Sequence, residues 1–442
     1  MVGVLVACAA MGPAHGQVPG GLRDLPGTAL PGRGLPDLTE PLPERGEVLD
    51  PVERTLRSTR AEALLEAREL RLRALVRHNR DILEADPTGW PVMRGEILAV
   101  SPSAGALTRA REAGFTVVRE SRVEDLGFSI FVLSPPRGRT TRQGLELLRR
   151  LDPQGSYEFN HVLEPAGAAA LPTIAPAAAA APATRARIGL IDTGADVASP
   201  ALRGAAVEQR AFGAAQPRPA PHGTAVASLL VGRSGAFAGA APGATLYVAD
   251  VFGPRGVGGA AENVALALAW MARNRVPVVN ISLVGPPNAA LAAAVRSVTA
   301  RGHLVVAAVG NDGPAAPPAH PAALPGVVGV TGLNARSQPL PEASRGDQVD
   351  FAAPGADMAA ADGGGFVVVR GTSFAAPLVA GLLARRLSRP DPAAARAAVD
   401  WLTAAAKDLG PRGRDPTYGA GAVAADLRTA PRAVGARRRL TR

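Results

Sequence analysis

Residues 187–194 have the sequence RIGLIDTG, a short apolar run that ends in an acid and a glycine. Comparable apolar runs follow at 246–249, 277–281 and 304–308, and helical patterns such as the one at 260–274 separate them. Alternation of short, buried-type strands with helices predicts a parallel sheet with right-handed crossovers and helices on both faces. In such sheets, functional residues lie at the carboxyl ends of the strands. The predicted fold class of this part of the chain is therefore α/β.

Upstream of that part, residues 96–163 alternate between strand and helix patterns in a different order. The predicted order is βαββαβ, which is the ferredoxin-like split βαβ arrangement. Its last predicted strand, at 157–163, contains His161, which we expect to be structural because no partner residue lies near it in the sequence. The second predicted fold is thus a small ferredoxin-like α+β domain that precedes the α/β part.

Ahead of this domain, apolar residues such as Leu65 and Leu72 recur at helical spacing, with Arg and Glu on the other faces. The pattern predicts an amphipathic helix or helix pair within 54–83. This helix is either a docking element or a surface that packs against the next domain, and we favour packing. Residues 16–47 are rich in Pro, Gly and charge and predict a flexible leader. Residues 168–183 are mostly alanine interrupted by prolines, which predicts an exposed, semi-extended linker.

The N-terminal run at 2–11 is apolar and is followed by small residues at 14–16, as in a secretory signal, although a basic n-region is missing. The run is too short to span a bilayer as a helix. Residues 5–8 (LVAC) also resemble the lipobox of bacterial lipoproteins, in which Cys8 would be lipidated. The alternative is an ordinary cysteine in a discarded signal, and we favour it. We expect a secreted or periplasmic protein, anchored to a membrane only if Cys8 is lipidated.

The composition narrows the function classes. The chain has 442 residues, 47% of them hydrophobic, which is enough for two or three domains with sizeable cores. Its single cysteine, Cys8, excludes an internal disulfide and a cysteine-rich zinc site. The net charge is +10, but Lys407 is the only lysine, so 47 of the 48 basic residues are arginines, mostly scattered among acids. Only 4% of the residues are aromatic, too few to stack bases, and we expect no nucleic-acid partner.

Three short stretches place polar residues at predicted strand and helix boundaries. Asp192 ends the first strand, His222 (in HGTAVA) begins an apolar helix, and Ser373 (in GTSFAAP) leads into another. An acid, a histidine and a serine in this chain order form one of the known orders of a catalytic triad. Serine needs a base to remove its proton, histidine titrates near neutrality, and a buried carboxylate orients the imidazole. Pro377 is expected in the first turn of the serine's helix, where N–H groups have no intrahelical partner.

A fourth stretch, 305–313, is a buried-type strand that runs into a Gly-Asn turn. This pattern places the Asn311 amide at the carboxyl end of the sheet, where it can donate a hydrogen bond to an oxyanion. A serine at a helix N-terminus adds a favourable dipole for the same charge. The four side chains together predict nucleophilic catalysis by a serine.

These four blocks, in this order, resemble the signature blocks of the subtilisin-like serine protease family over about 185–427. The resemblance implies a subtilisin-like parallel sheet with helices on both faces. It also implies a serine endopeptidase that forms an acyl-enzyme. Its triad would be Ser373, His222 and Asp192. Asn311 and the Ser373 N–H would bind the oxyanion.

The same resemblance implies where a substrate binds. Ser282, Leu283 and Val284 match the strand that lines the pocket for P1, the substrate residue whose carbonyl is attacked. Val284 stands where glycine is common in the family, so we expect a narrow pocket and a preference for a small P1 residue such as alanine. Gly256 and Gly258 match the opposite edge, and a substrate would add as an extended strand between the two.

The βαββαβ unit resembles the propeptide that family members use as an intramolecular chaperone and inhibitor. The resemblance implies self-cleavage between about Glu164 and Arg187, with the last strand of the unit leading the product end into the active site. The predicted regions are a signal peptide (1–17), a leader with the amphipathic helix (18–92), the propeptide-like domain (93–165), the linker (166–184), the catalytic domain (185–430) and a basic tail (431–442).

Two alternatives to an active protease stay open. One is a catalytically silent, peptide-binding member of the same fold, and the other is a basic binding protein that acts through the arginines of the tail. The implied partners are polypeptide substrates and the chain's own propeptide. Calcium supports many members of the family, but no acidic cluster has ligand spacing, so we expect no metal or cofactor. His303 and His320 are expected at the surface.

Overall fold

The structure is a computed structural model that describes residues 51–123, 126–167, 186–253 and 255–437, with side chains from residue 60 onwards. The predictions for the signal peptide and Cys8, for the leader before residue 51, for most of the Ala/Pro linker and for the last five residues lie outside the described residues. The boundaries proposed between the six regions stay predictions.

The first part of the described chain is a long helix followed by a small antiparallel sheet. The helices are α1 (Pro51–His78), α2 (Ala104–Glu112) and α3 (Thr141–Leu151), and the strands are β1 (Leu83–Ala85), β2 (Pro91–Val100), β3 (Thr116–Val123), β4 (Phe128–Ser134) and β5 (Ser156–Pro165).

The segment from β2 to β5 has the predicted order βαββαβ. Its strands lie in the order β5-β2-β4-β3 with antiparallel neighbours, and β1 pairs with the beginning of β2. Residues of α2 and α3, such as Ala110 and Leu145, share an apolar core with strand residues such as Ile97 and Leu133. Helix α1 ends at His78, five residues earlier than its pattern predicted, and the chain then turns into β1.

The second part alternates strands and helices. The helices are α4 (Pro221–Val231), α5 (Ala261–Arg273), α6 (Ala289–Ala300), α7 (Thr372–Ala384) and α8 (Pro392–Ala405). The strands are β6 (Arg187–Asp192), β7 (Val207–Ala211), β8 (Arg233–Ser234), β9 (Phe237–Ala238), β10 (Thr245–Asp250), β11 (Gly259–Ala260), β12 (Val278–Ile281), β13 (Leu283–Val284), β14 (Leu304–Ala308), β15 (Val327–Leu333), β16 (Phe351–Pro354), β17 (Met358–Ala361) and β18 (Phe366–Val369).

A parallel sheet with the strand order β16-β15-β14-β12-β6-β10-β7 forms the centre of this part. Each adjacent pair in that order is parallel. Successive strand residues point to opposite faces, so Leu190 belongs to one apolar core and Ile191 to the other. Helices α4 and α7 cover the first face, and α5 and α6 cover the second. The predicted α/β fold, with helices on both faces of a parallel sheet, is confirmed.

Strand β5 joins the two parts. Its end pairs antiparallel with β11 on one side, where Leu163 lies opposite Gly259, and with β13 on the other, where Pro165 lies opposite Leu283. The two parts also meet at α5, because the Asn160 side chain accepts a hydrogen bond from the first-turn N–H of that helix. The last residues of β5 therefore reach the carboxyl edge of the parallel sheet.

Helix α1 packs against both parts, as the packing alternative predicted. Leu75 contacts the apolar cluster of Leu83 and Val257, and Leu64 lies against Gly313. Within the described residues, no helix has both the length and the apolar character needed to cross a membrane.

Candidate active site

Asp192 is the last residue of β6, a central strand of the parallel sheet. Its carboxylate is fully buried, and Oδ1 accepts hydrogen bonds from the Thr193 N–H at 2.7 Å and from His222 Nδ1 at 2.8 Å. Among the described residues, Oδ2 of this buried carboxylate has no hydrogen-bond partner. A buried acid is thus aimed at one nitrogen of a histidine.

His222 is the second residue of α4, which begins with Pro221 in the position where proline is favoured. Gly223 allows the helix to approach β6 closely, since a β-carbon there would overlap the Thr193 carbonyl oxygen. Because Asp192 accepts at Nδ1, the neutral ring carries its proton there and leaves Nε2 as a proton acceptor. Nε2 is buried and has no hydrogen-bond partner among the described residues. The ring can therefore act as a base through Nε2.

Ser373 is the second residue of α7 and is fully buried. Its hydroxyl donates to the Ser282 carbonyl oxygen at 3.3 Å. The ring of the next residue, Phe374, lies 5.5 Å from the imidazole of His222, measured between ring centroids, so the start of α7 packs beside this histidine. The serine and the histidine thus lie at the same end of the sheet, on neighbouring helices.

The expectation that Pro377 lies in the first turn of α7 is wrong, because it is the sixth residue of this helix. A proline there lacks the N–H that would bond the Ser373 carbonyl four residues earlier. The hydroxyl of Ser282 donates to that carbonyl instead, at 2.9 Å. The hydrogen bond that replaces the missing helical one therefore links α7 to Ser282, the residue before β13.

Asn311 follows β14 after a turn at Gly310, whose φ of 103° suits glycine. Its Oδ1 accepts from the Thr372 N–H at 3.1 Å, which orients the amide. Its Nδ2 donates to the carbonyl oxygen of Ala166, and the Ser373 N–H donates to the same oxygen at 3.1 Å. One peptide carbonyl is thus held by two donors, the arrangement that binds an oxyanion.

The chain after β5 runs along the cleft between these groups. The Ala166 N–H donates to the Ser282 carbonyl at 3.0 Å, which continues the pairing of β5 with β13. A β-carbon placed on Gly167 would lie 3.2 Å from Ser373 Oγ, so this hydroxyl is beside the Ala166–Gly167 peptide bond. No sequence motif marks these two residues, although the predicted strand at 157–163 leads directly to them.

The predicted substrate-binding residues surround the same segment. Leu283 and Val284 of β13 pair with it on one side. On the other side, the absence of a side chain at Gly258 allows the backbone of β5 to come close, because a β-carbon there would overlap the carbonyl oxygen of Leu163. Gly256 lines an open pocket together with Glu164 and Pro165. The structure thus brings the predicted catalytic and substrate-binding residues together around one stretch of the chain.

Four charged residues form an ion-pair cluster that no sequence pattern predicted. Asp312 directly follows Asn311, and its carboxylate pairs with Arg68 at 3.2 Å and with Arg71 at 3.0 Å. Arg71 also pairs with Glu164 at 3.3 Å. Burial raises the pKa of Glu164, and the nearby Asp312 adds to this while Arg71 opposes it. Since Arg71 and Asp312 are 241 positions apart, no sequence periodicity could have revealed the cluster.

Two further histidines, His161 and His303, have polar partners away from the candidate site. His161 is buried, and its Nε2 lies 3.2 Å from an oxygen of Asp86. His303, predicted at the surface, is only 4% exposed, with Nδ1 2.6 Å from the Val276 carbonyl, and that prediction is wrong. His320 is half-buried rather than exposed. Burial lowers the pKa of both His303 and His320.

No group of three or more metal-ligating side chains was found among the described residues.

Comparison with known proteins gives consistent results. The subtilase family model matches residues 184–421, more than half of the chain. Minor extracellular protease Epr of Bacillus subtilis (strain 168) is 32% identical over 207 residues, which cover 46% of this chain and 32% of that protein. Subtilisin BL of Lederbergia lenta is 36% identical over 167 residues, which cover 37% of this chain and 61% of that protein. The matches thus span less than two thirds of either relative.

A solved structure shows the same fold. Fervidolysin from Fervidobacterium pennivorans superposes with a TM-score of 0.63 at 20% identity, over 76% of this chain and 61% of the fervidolysin chain. This likeness concerns the fold alone, whereas the family model matches the sequence that supplies Asp192, His222, Asn311 and Ser373. On the strength of that match, the chain belongs to the subtilase family.

Proposed function

We propose that the protein is a serine endopeptidase that acts through an acyl-enzyme on Ser373 and is made as a self-processing zymogen. The observation that carries this proposal is the Ala166 carbonyl, to which Asn311 Nδ2 and the Ser373 N–H both donate. The hydroxyl of Ser373 lies beside the same peptide bond, and the Asp192–His222 pair supplies a base. These groups meet the requirements of acyl transfer.

In the proposed mechanism, the Ser373 hydroxyl exchanges its hydrogen bond to Ser282 for one to His222 Nε2 and attacks the P1 carbonyl carbon. The proton passes to Nε2, and Asp192 stabilises the imidazolium that forms. Asn311 and the Ser373 N–H stabilise the negative oxygen, aided by the positive N-terminal end of α7. The imidazolium then protonates the leaving amine. Water takes the place of the amine and gives a proton to Nε2 as it attacks the acyl carbon, and this proton returns to the Ser373 oxygen as the acid product leaves.

We further propose that the first substrate is the Ala166–Gly167 bond of the chain itself. This bond lies between Glu164 and Arg187, the limits predicted from the sequence. Because β5 fills the space between β11 and β13, the segment that ends at Ala166 also blocks other substrates. The residues before Gly167 would therefore act as the propeptide, with an inhibitory role.

The occupant of the cleft supports a preference for small P1 residues. Ala166 is 3% exposed and packs in the same apolar cluster as Val284. A γ-carbon of Val284 lies 3.8 Å from the position that a β-carbon on Gly310 would take. We therefore expect this valine to occupy space that a larger P1 side chain would need.

Export from the cell is part of the proposal. The apolar run at 2–11 has the character of a secretory signal, and Epr is named an extracellular protease. Polypeptides outside the cytoplasm would be the substrates.

The test is the intact mass of the purified wild-type chain and of Ser373→Ala after equal incubation. The wild type is expected to split between Ala166 and Gly167, whereas Ser373→Ala stays whole because it lacks the nucleophile. Ser199→Ala is the matched control, since Ser199 is also a buried serine and its hydroxyl has no partner among the described residues. It should split like the wild type.

Two results would contradict the proposal. If the wild type and Ser373→Ala both stay whole, and the wild type cleaves no peptide, the chain is a silent, peptide-binding member of the family. If both split at the same bond, another protease cuts the chain and self-processing is wrong.

A further inference from the structure

Asp312 lies at the rim of the cleft, next to the oxyanion asparagine, and its side chain is only 13% exposed. Within the described part of the chain, its two ion-pair partners are Arg68 and Arg71, and both belong to α1. Among the described residues, this carboxylate of the α/β part is thus paired only with arginines that precede the proposed cleavage site.

The position that faces Asp312 is P3. With Ala166 at P1, Pro165 is P2 and Glu164 is P3. The guanidinium of Arg71 lies between the carboxylates of Glu164 and Asp312, at 3.3 Å and 3.0 Å. The charges that act most on Glu164 are those of Arg71, Asp312 and Arg68, and of these only Asp312 follows the Ala166–Gly167 bond.

Cleavage at this bond separates α1 from the catalytic part. Once the N-terminal fragment leaves, Asp312 loses both arginines, while the cleft that received Glu164 becomes free for a substrate. An acidic P3 residue would then meet an unneutralised carboxylate at short range. A basic P3 residue would supply the positive charge that Arg71 supplies in the zymogen.

We propose that Asp312 is a specificity-determining residue that favours Arg or Lys at P3 and disfavours Asp or Glu in the processed enzyme. This inference rests on the proposed function. An arginine at the position of Glu164 has the longer side chain and places its guanidinium in the space that the Arg71 guanidinium now occupies. Opposite charges attract across such a half-buried contact, whereas like charges repel.

The test uses the full chain after self-processing. Its substrates are three peptides that have alanine at P1 and differ only at P3, where the residue is Arg, Leu or Glu. The value of kcat/KM for the Arg peptide is expected to exceed that for the Glu peptide by about tenfold at low salt, with Leu between them. The ratio should shrink as salt is added, because mobile ions screen the contact.

Asp312→Asn is expected to bring the Arg-to-Glu ratio close to one. Because the ratio compares two peptides with the same enzyme sample, a change in activity that affects both peptides equally does not alter it. Glu342→Gln is the matched control. Glu342 lies close to Asp312 in the fold, because the N–H of Gly313 donates to the Glu342 backbone carbonyl. The Glu342 carboxylate pairs with Arg370, a residue that stays in the processed enzyme. This variant should keep the wild-type ratio.

Equal values for the Arg and Glu peptides in the wild type, or an unchanged ratio in Asp312→Asn, would overturn the role of Asp312 and leave the proposed function intact. If none of the three peptides is cleaved, the proposed function itself fails, and this inference fails with it.

Discussion

At the scale of single residues, Pro377 determines how the helix of the proposed nucleophile is attached to its neighbour. Because Pro377 has no N–H, the Ser373 carbonyl accepts a hydrogen bond from the Ser282 hydroxyl instead. Asn280 Nδ2 donates to that hydroxyl at 2.9 Å. Ser282 also accepts from Ala166 through its own carbonyl. One serine thus links the nucleophile's helix to the segment in the cleft.

Val284 is the residue we expect to limit the size of P1, because it is 5% exposed and packs with Ala166. Val284→Gly is expected to raise kcat/KM for a peptide with Phe at P1, relative to Ala, by at least about tenfold, since removing the side chain enlarges the pocket. Val284→Ile should shift the ratio the other way. The measurement is the rate for two peptides that differ only at P1. The same ratio in all three forms would show that Val284 does not set P1 size.

At the scale of elements, α1 and the turn that follows it contact both rims of the cleft. On one rim, Arg68 and Arg71 pair with Asp312. On the other, Asp81, in the turn after the helix, pairs with Arg255 at 2.6 Å. The end of β5 passes between these contacts. The helix and the turn after it therefore add ion pairs across the cleft to the strand pairing that β5 already makes.

The double variant Arg68→Ala/Arg71→Ala is expected to shorten the time between cleavage of the chain and the appearance of peptide hydrolysis. The two side chains contribute ion pairs to the complex, each worth up to about 1 kcal/mol, so the cleaved fragment should leave several times faster. Cleavage is followed by intact mass, and hydrolysis by a chromogenic peptide in the same sample.

Arg73→Ala is the control for this variant, because Arg73 pairs with Glu69 on the same helix. It should leave the delay unchanged. A delay as long in the double variant as in the wild type would mean that α1 does not help to retain the fragment.

At the scale of the whole molecule, the two parts are held together by β5 and by a buried carboxylate. Glu262, at the start of α5, is 3% exposed and pairs with Arg119 of β3 at 2.8 Å. Asn288, which caps α6, donates to the Phe159 carbonyl. The antiparallel sheet therefore covers the N-terminal ends of two helices of the α/β part.

His303 is expected to make the stability of the whole chain depend on pH. Burial lowers the pKa of His303, so the folded state binds fewer protons than the unfolded state below the ordinary histidine pKa of about 6.5. The free energy of unfolding should therefore fall as the pH drops through that value. Denaturant unfolding of Ser373→Ala, which is expected to stay whole, at about pH 8 and about pH 5.5 measures this change.

His303→Gln in the same background is expected to be less stable near pH 8 and to lose less stability on acidification. His78→Gln is the control, because His78 is exposed. If Ser373→Ala loses the same amount of stability on acidification with and without His303→Gln, His303 is not the group that makes the stability depend on pH.

The sequence by itself determined the fold class and the four residues at the candidate active site. The apolar strands are short and continuous because both faces of the parallel sheet are buried, and this pattern is visible in the chain. Asp192, His222, Asn311 and Ser373 each lie at a strand end or a helix start, so local sequence blocks were enough to find them. Pro377 was misplaced because the exact start of α7 is not visible in composition.

Only the tertiary structure decided which residues occupy and cover the cleft. The Ala166 carbonyl meets Asn311 across 145 positions, and Arg71 meets Asp312 across 241. His303 looked like a surface residue because its burial depends on elements distant in the chain. Such contacts follow no helical or strand period, since they arise when separately folded elements pack together. Local patterns therefore predict the elements and their polar ends, whereas partners across the cleft depend on the packed fold.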